Sequence, residues 1–184
     1  MKKMLVLNRY CPKNPLAGGA EKVTLQHIKT WVKKGHQVIW LAGGYSNCKQ
    51  YEIIEGVEVY RYGNPLLVYW LVPFLYYFKF NNQFDLIIDE IQGLPFFSPL
   101  WAPQVKKIAF IHHVNHDIWD KIWFFPFNYL GKLIENLYFL CYKKIPFVTV
   151  SQSTKEDLFR KGIAPENITV IPNGLFLTPA DYVF

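Results

Sequence analysis

Apolar positions along this chain follow two alternating rhythms. "MLVLN", residues 4 to 8, is a continuous apolar run, as expected of a parallel strand covered on both faces. Ala20, Val23, Thr24, His27, Ile28, Trp31 and Val32 then recur at helical spacing, and Gly35 closes that helix. "QVIWLAG" (37–43) and "VEVYRYG" (57–63) predict two more strands, with "EIIEG" before the latter reading as a turn. Further on, "LLVYWLVPFLYYFKF" (66–80) predicts a helix, "FDLIID" (84–89) a strand and "GLPFFSPLWA" (93–102) a short helix or loop. "KKIAFIHH" (106–113) predicts a strand, and 117–144 a long aromatic helical region broken near Pro126. "PFVTVS" (146–151) is a strand, and 153–162 is a helix with a capping box of Ser153 and Glu156. "NITVIPNG" (167–174) is a last strand running into a turn shaped by Asn173 and Gly174.

Strands and helices that alternate throughout imply an α/β fold, a Rossmann-like doubly wound parallel sheet. No internal repeat or low-complexity segment interrupts it. Such sheets bind ligands beyond the carboxyl ends of their strands. Four places lie there: Gly18–Gly19, Asp89–Glu90, His112–His113 and Ser151. They are expected to share one rim.

Composition narrows the picture. A chain of 184 residues, 51% hydrophobic and 18% aromatic, has the length of one domain and enough apolar mass for a core. Its formal charge of +6, from 20 basic against 14 acidic residues, is spread over scattered lysine pairs such as Lys33-Lys34 and Lys143-Lys144. Scatter argues against a nucleic-acid-binding stripe and suits attraction to phosphates or an anionic membrane surface. Cys11, Cys48 and Cys141 lack any metal or disulfide spacing, which fits a reducing cytosol. "MKKMLVLNRYCPKN" is too briefly apolar for a signal-peptide core. The longest apolar run, about 14 residues, contains Pro73 and falls short of a bilayer span.

Five stretches, in order, resemble the amino-terminal half of a family 4 glycosyltransferase of the GT-B fold: "GGAEKVTLQHIKTWVKKGHQV", "IIEGVEVYRYG", "FDLIIDEIQGLPFFSPL", "IAFIHHVNHDIW" and "VTVSQSTKEDLFRKGIAPENITVIPNG". The resemblance implies a retaining sugar transfer from a nucleotide-diphosphate sugar, with no metal and no other cofactor. It implies that residues 1–171 form the acceptor-side domain and 172–184 begin an interdomain linker. The donor-binding domain, with its paired-glutamate motif, is then missing, and the isolated chain is expected to be inactive. The acceptor is expected to be a saccharide or a lipid-linked saccharide in polysaccharide or glycolipid biosynthesis. Location follows: cytoplasmic, with peripheral contact to the inner face of the cytoplasmic membrane.

Each candidate residue carries two readings. Gly18 and Gly19, at the mouth of a helix, are either a plain turn or a place where an anionic ligand meets the backbone and the helix amino terminus. Their spacing is not G-x-G-x-x-G, which disfavours an NAD-dependent oxidoreductase. By resemblance, His112 lines the reaction centre beside the donor sugar. His113 shares that candidacy at one residue's offset, and a structural histidine ending the strand is the other possibility. "HHVNHD" offers no second ligand cluster for a metal. Asp89 and Glu90, adjacent on a strand, point to opposite faces; one binds acceptor hydroxyls, or both are solvated rim charges. Ser151 either contacts nucleotide or acceptor, or serves as a turn hydroxyl. Trp119, Trp123, Phe124, Phe125, Phe127 and Tyr129, near Lys121 and Lys132, fit either a membrane-dipping surface or a core stripe. The alternative to an enzyme half is a noncatalytic sugar- or lipid-binding module that partners with a separate donor domain.

Overall fold

The computed structural model describes residues 1–80, 83–114 and 127–173. An eight-stranded sheet runs through it in the order β3-β4-β2-β1-β5-β6-β7-β8. The strands are β1 (Lys3–Leu7), β2 (Gln37–Ala42), β3 (Tyr51–Ile54), β4 (Val57–Arg61), β5 (Leu86–Ile91), β6 (Lys106–Ile111), β7 (Phe147–Thr149) and β8 (Ile168–Val170). Helices α1 (Gly19–Lys33), α2 (Val68–Phe78), α3 (Ser98–Trp101), α4 (Phe127–Tyr142) and α5 (Gln152–Arg160) fill the connections.

Seven strands are parallel, and β3 pairs antiparallel with β4. Here the expected turn at "EIIEG" is corrected: Glu52, Ile53 and Ile54 are strand, and only Glu55–Gly56 turn. Both turn residues have positive φ (53° and 83°), as a two-residue hairpin with the twist of its strands requires. Arg61, 3% exposed, locks this edge by donating to Glu52 at 2.9 Å and to the Lys49 carbonyl at 2.8 Å.

Alternation along the central strands divides the core. Met4, Val6, Trp40, Ile88 and Phe110 face the side covered by α1, with Val23 and Ile28. Leu5, Leu7, Ile39, Leu41 and Ile87 face the other side, with Val68, Val72 and Tyr76 of α2. A third cluster joins Ile91, Ala109 and Ile111 to Tyr138, Phe139 and Tyr142 of α4. Two helical layers therefore sandwich the sheet, as the alternation predicts.

The aromatic run 66–80 shows both of its expected characters. Val68, Val72 and Tyr76 are buried at helical spacing, while Trp70, Phe74 and Phe78 are 77%, 64% and 83% exposed. Of the second aromatic segment, Trp119, Lys121, Trp123, Phe124 and Phe125 lie outside the described residues. Tyr129 is exposed, with the Lys132 ammonium over its ring. Among the described residues no helix is long and apolar enough to cross a membrane.

Candidate active site

The β1–α1 connection sets the first wall. Gly18 is the residue before α1, and its amide donates to the Glu21 carboxylate at 2.6 Å. Glu21 is 2% exposed, and its other oxygen accepts from Gln92 Nε2 at 2.6 Å, tying the helix mouth to the end of β5. Neither glycine needs a positive φ. A Cβ built on Gly19 meets nothing within 4 Å, and one on Gly18 meets only Glu21 Oε2 at 3.9 Å. The fold itself leaves this corner free for side chains, so the space in front of it is open to something from outside the domain.

Asp89 and Glu90 end up on opposite faces, as strand geometry demands. The rim-charge reading is corrected for both: they are 0% and 1% exposed. Asp89 accepts from the amides of Phe96 at 3.0 Å and Ser98 at 3.3 Å and from the Tyr142 hydroxyl. Burial raises its pKa against those hydrogen bonds. With its oxygens taken and no exposure, Asp89 shapes the loop before α3 and reaches no sugar hydroxyl. Glu90, on the α1 side, accepts from Thr24 Oγ1 at 2.6 Å through one oxygen; the other is buried without a partner. Burial pushes its pKa up to about 8, Thr24 opposes the shift, and the nearby charges of Glu21 and Asp89 add to it.

His112 follows β6 on the same face as Glu90. Its ring lies 4.7 Å from that of Phe110, its carbonyl accepts from Thr154 Oγ1 at 3.1 Å, and its Nε2 is buried without a hydrogen-bond partner. Burial lowers its pKa, and the Glu21 carboxylate pulls in the opposite direction. The imidazole is therefore neutral near pH 7, with one nitrogen unengaged. His113 is exposed and follows the opposite side of the strand. Ser151 is the N-cap of α5: its Oγ accepts from the Thr154 amide at 3.2 Å and contacts Thr154 Oγ1 at 2.9 Å. This corrects the capping box expected from Ser153 and Glu156, because α5 begins two residues earlier than its charged pattern suggests.

The structure thus joins Gly18–Gly19, Glu21, Glu90 and His112 on the α1 side of the carboxyl rim, with Ser151 reaching the group through Thr154. It sends His113 and Asp89 to the other face. Glu21, Gln92, Thr24 and Thr154 were missed by sequence reasoning. Of these, only Glu21 had a signal, an acidic residue three positions after a helix cap. Beside the group, Asn14, Leu16, Gly44, Tyr45, Asn64 and Pro65 line a cleft of about 490 Å³ at the ends of β1, β2 and β4. Among the described residues no three His, Cys, Asp or Glu side chains converge as metal ligands; His116 and Asp117 lie outside them.

A family model described as Glycosyltransferase Family 4 matches residues 17–177. Among solved structures, sucrose-phosphate synthase from Thermosynechococcus elongatus superposes with a TM-score of 0.66 at 13% identity, over 94% of this chain and 48% of that one. HepE of Anabaena in complex with UDP-glucose superposes with a TM-score of 0.60 at 16% identity, over 98% of this chain and 48% of that one. The same protein has also been solved with UDP and glucose, and that structure superposes with a TM-score of 0.58 at 16% identity, over 98% of this chain and 48% of that one. At such identities the likeness shows a shared fold, and this chain spans about half the length of these structures. No curated protein sequence is a significant match.

Proposed function

The chain belongs to glycosyltransferase family 4, and on that premise we propose that it is the acceptor-side half of a retaining enzyme. That enzyme moves a hexose from a nucleotide-diphosphate sugar to a saccharide or lipid-linked saccharide. The observation that carries this reading is the convergence of an unobstructed double-glycine corner and a neutral His112 with a buried, unpartnered Nε2 at one carboxyl rim, joined through Glu21. HepE, solved with UDP-glucose, supports a uridine-diphosphate sugar as the donor class.

In this reading residues 1–171 are the domain and 172–184 lead to a donor-binding half. The donor diphosphate lies across from the α1 amino terminus. Its Gly18 amide is already engaged by Glu21, so the later first-turn amides are the ones left to face phosphate oxygens. His112 Nε2 hydrogen-bonds the donor sugar, and the cleft of about 490 Å³ receives acceptor hydroxyls. Exposed Trp70, Phe74 and Phe78 support peripheral contact with a membrane interface. On this reading the acceptor-side half does not turn over by itself, since the donor diphosphate needs the opposite wall of the cleft. The test is consumption of a UDP-sugar by the enzyme carrying both halves, with saccharide acceptors present. Sugar appearing on acceptor with its anomeric configuration kept is the expected result. Binding of saccharide with no coding continuation for a donor domain would instead favour the noncatalytic module.

A further inference from the structure

Glu21 does more than cap a helix. Capping needs one carboxylate oxygen, and Oε2 serves it by accepting from the Gly18 amide at 2.6 Å. Oε1 turns elsewhere, to Gln92 Nε2 at 2.6 Å, a partner 71 residues along the chain. Glu21 is 2% exposed, and among the described residues no ammonium, guanidinium or imidazole lies within ion-pair distance of it. Its carboxylate therefore rests on neutral donors, and no counter-charge cancels its field.

The anchor it grips is pinned at both ends. Gln92 and Leu94 bridge across Gly93, whose φ of 91° allows the reversal. Asp89 holds the far end of the same loop through the amides of Phe96 at 3.0 Å and Ser98 at 3.3 Å. One side chain thus fastens the double-glycine corner to the end of β5.

A second effect is electrostatic. Burial lowers the proton affinity of the His112 ring, His113 and His27 lower it further, and the Glu21 carboxylate raises it. Glu90, on the same face, is pushed toward its neutral form, by burial above all and also by Glu21. A carboxylate near an imidazole makes the ring a stronger acceptor for a hydroxyl proton.

We infer that Glu21 is a positioning residue for sugar transfer: its bridge from Gly18 to Gln92 sets the corner that faces the donor, and its charge primes the His112 ring to accept from a sugar hydroxyl. The inference rests on the acceptor-side reading above and adds to it a residue that acts through two others.

The test separates charge from bridge. Glu21→Gln removes the charge and keeps the bridge, since Gln92 can turn its amide over and present the oxygen. Gln92→Leu keeps the charge and removes the bridge. In this chain without substrate, NMR titration of the His112 ring should give a midpoint about half a pH unit lower in Glu21→Gln and an unchanged one in Gln92→Leu. In the enzyme carrying both halves, the acid limb of the kcat/KM profile should move down with that midpoint in Glu21→Gln. Gln92→Leu should raise KM for the UDP-sugar about fivefold with kcat within about twofold. A His112 midpoint unmoved in Glu21→Gln overturns the inference, as does an unaltered KM in Gln92→Leu. Should Glu21→Gln fail to fold, Gln92→Lys decides: its ammonium pairs with Glu21 and cancels the charge, so the midpoint must again fall. The titration involves no sugar, so an unmoved midpoint removes this inference and leaves the transferase reading intact. A shifted midpoint in a two-half enzyme that transfers no sugar overturns the transferase reading, and the positioning role with it.

Discussion

Two glycine pairs sit in neighbouring loops at the same rim, and the fold requires glycine at only one of them. At Gly43 a Cβ would lie 2.6 Å from Pro65 Cα, and at Gly44 it would lie 2.8 Å from the Gly63 carbonyl oxygen. Those residues are small because the protein's own backbone passes close by. At Gly19 the same construction meets nothing within 4 Å. A glycine pair in a sequence thus does not say whether a close approach lies behind it, and only coordinates show which pair the fold itself requires.

The contrast is broken most severely at the packed pair. Gly43→Val forces backbone apart and should cost about 4 kcal/mol, a large share of a small domain's stability; chemical denaturation measures it. Gly19→Val should leave the denaturation midpoint unchanged yet lower sugar transfer by the two-half enzyme about 100-fold, through displacement of the ligand. Full activity in Gly19→Val would return that corner to a plain turn.

The same opposition divides the adjacent histidines. His112→Ala should lower transfer roughly tenfold, the worth of one neutral hydrogen bond, while exposed His113→Ala changes it less than about threefold. A reversed order would move the site to the opposite face of the sheet. The last contrast concerns Glu90. Between its ordinary value of 4.5 and its native value of about 8, it is protonated in the folded chain and ionised in the unfolded one. The folded state binds the extra proton, so stability falls as pH rises through that window, by at most about 1.4 kcal/mol per unit. Glu90→Gln keeps an acceptor for Thr24 and should flatten the fall, read as the melting temperature between pH 5 and 8.

The parallel sheet was legible because each strand is a short apolar run and each helix a 3.6-residue stripe, patterns that local sequence carries by itself. The β3 hairpin was not, since "YEII" is brief and half-exposed at a sheet edge. The positions of Gly18, Glu90 and His112 at strand ends were also legible. Their partners were not: Thr24 meets Glu90 across 66 residues and Gln92 meets Glu21 across 71, separations that no periodicity encodes. Burial of Asp89 was equally hidden, because its partners lie in a loop and in α4.

The hydroxyl of Thr154 bonds the His112 carbonyl at 3.1 Å, and the next residue, Lys155, reaches the Ile168 carbonyl at 3.2 Å. One short helix therefore grips both the peptide unit bearing the imidazole and the outermost strand. A pull on that strand would be carried through α5 to the backbone at residue 112.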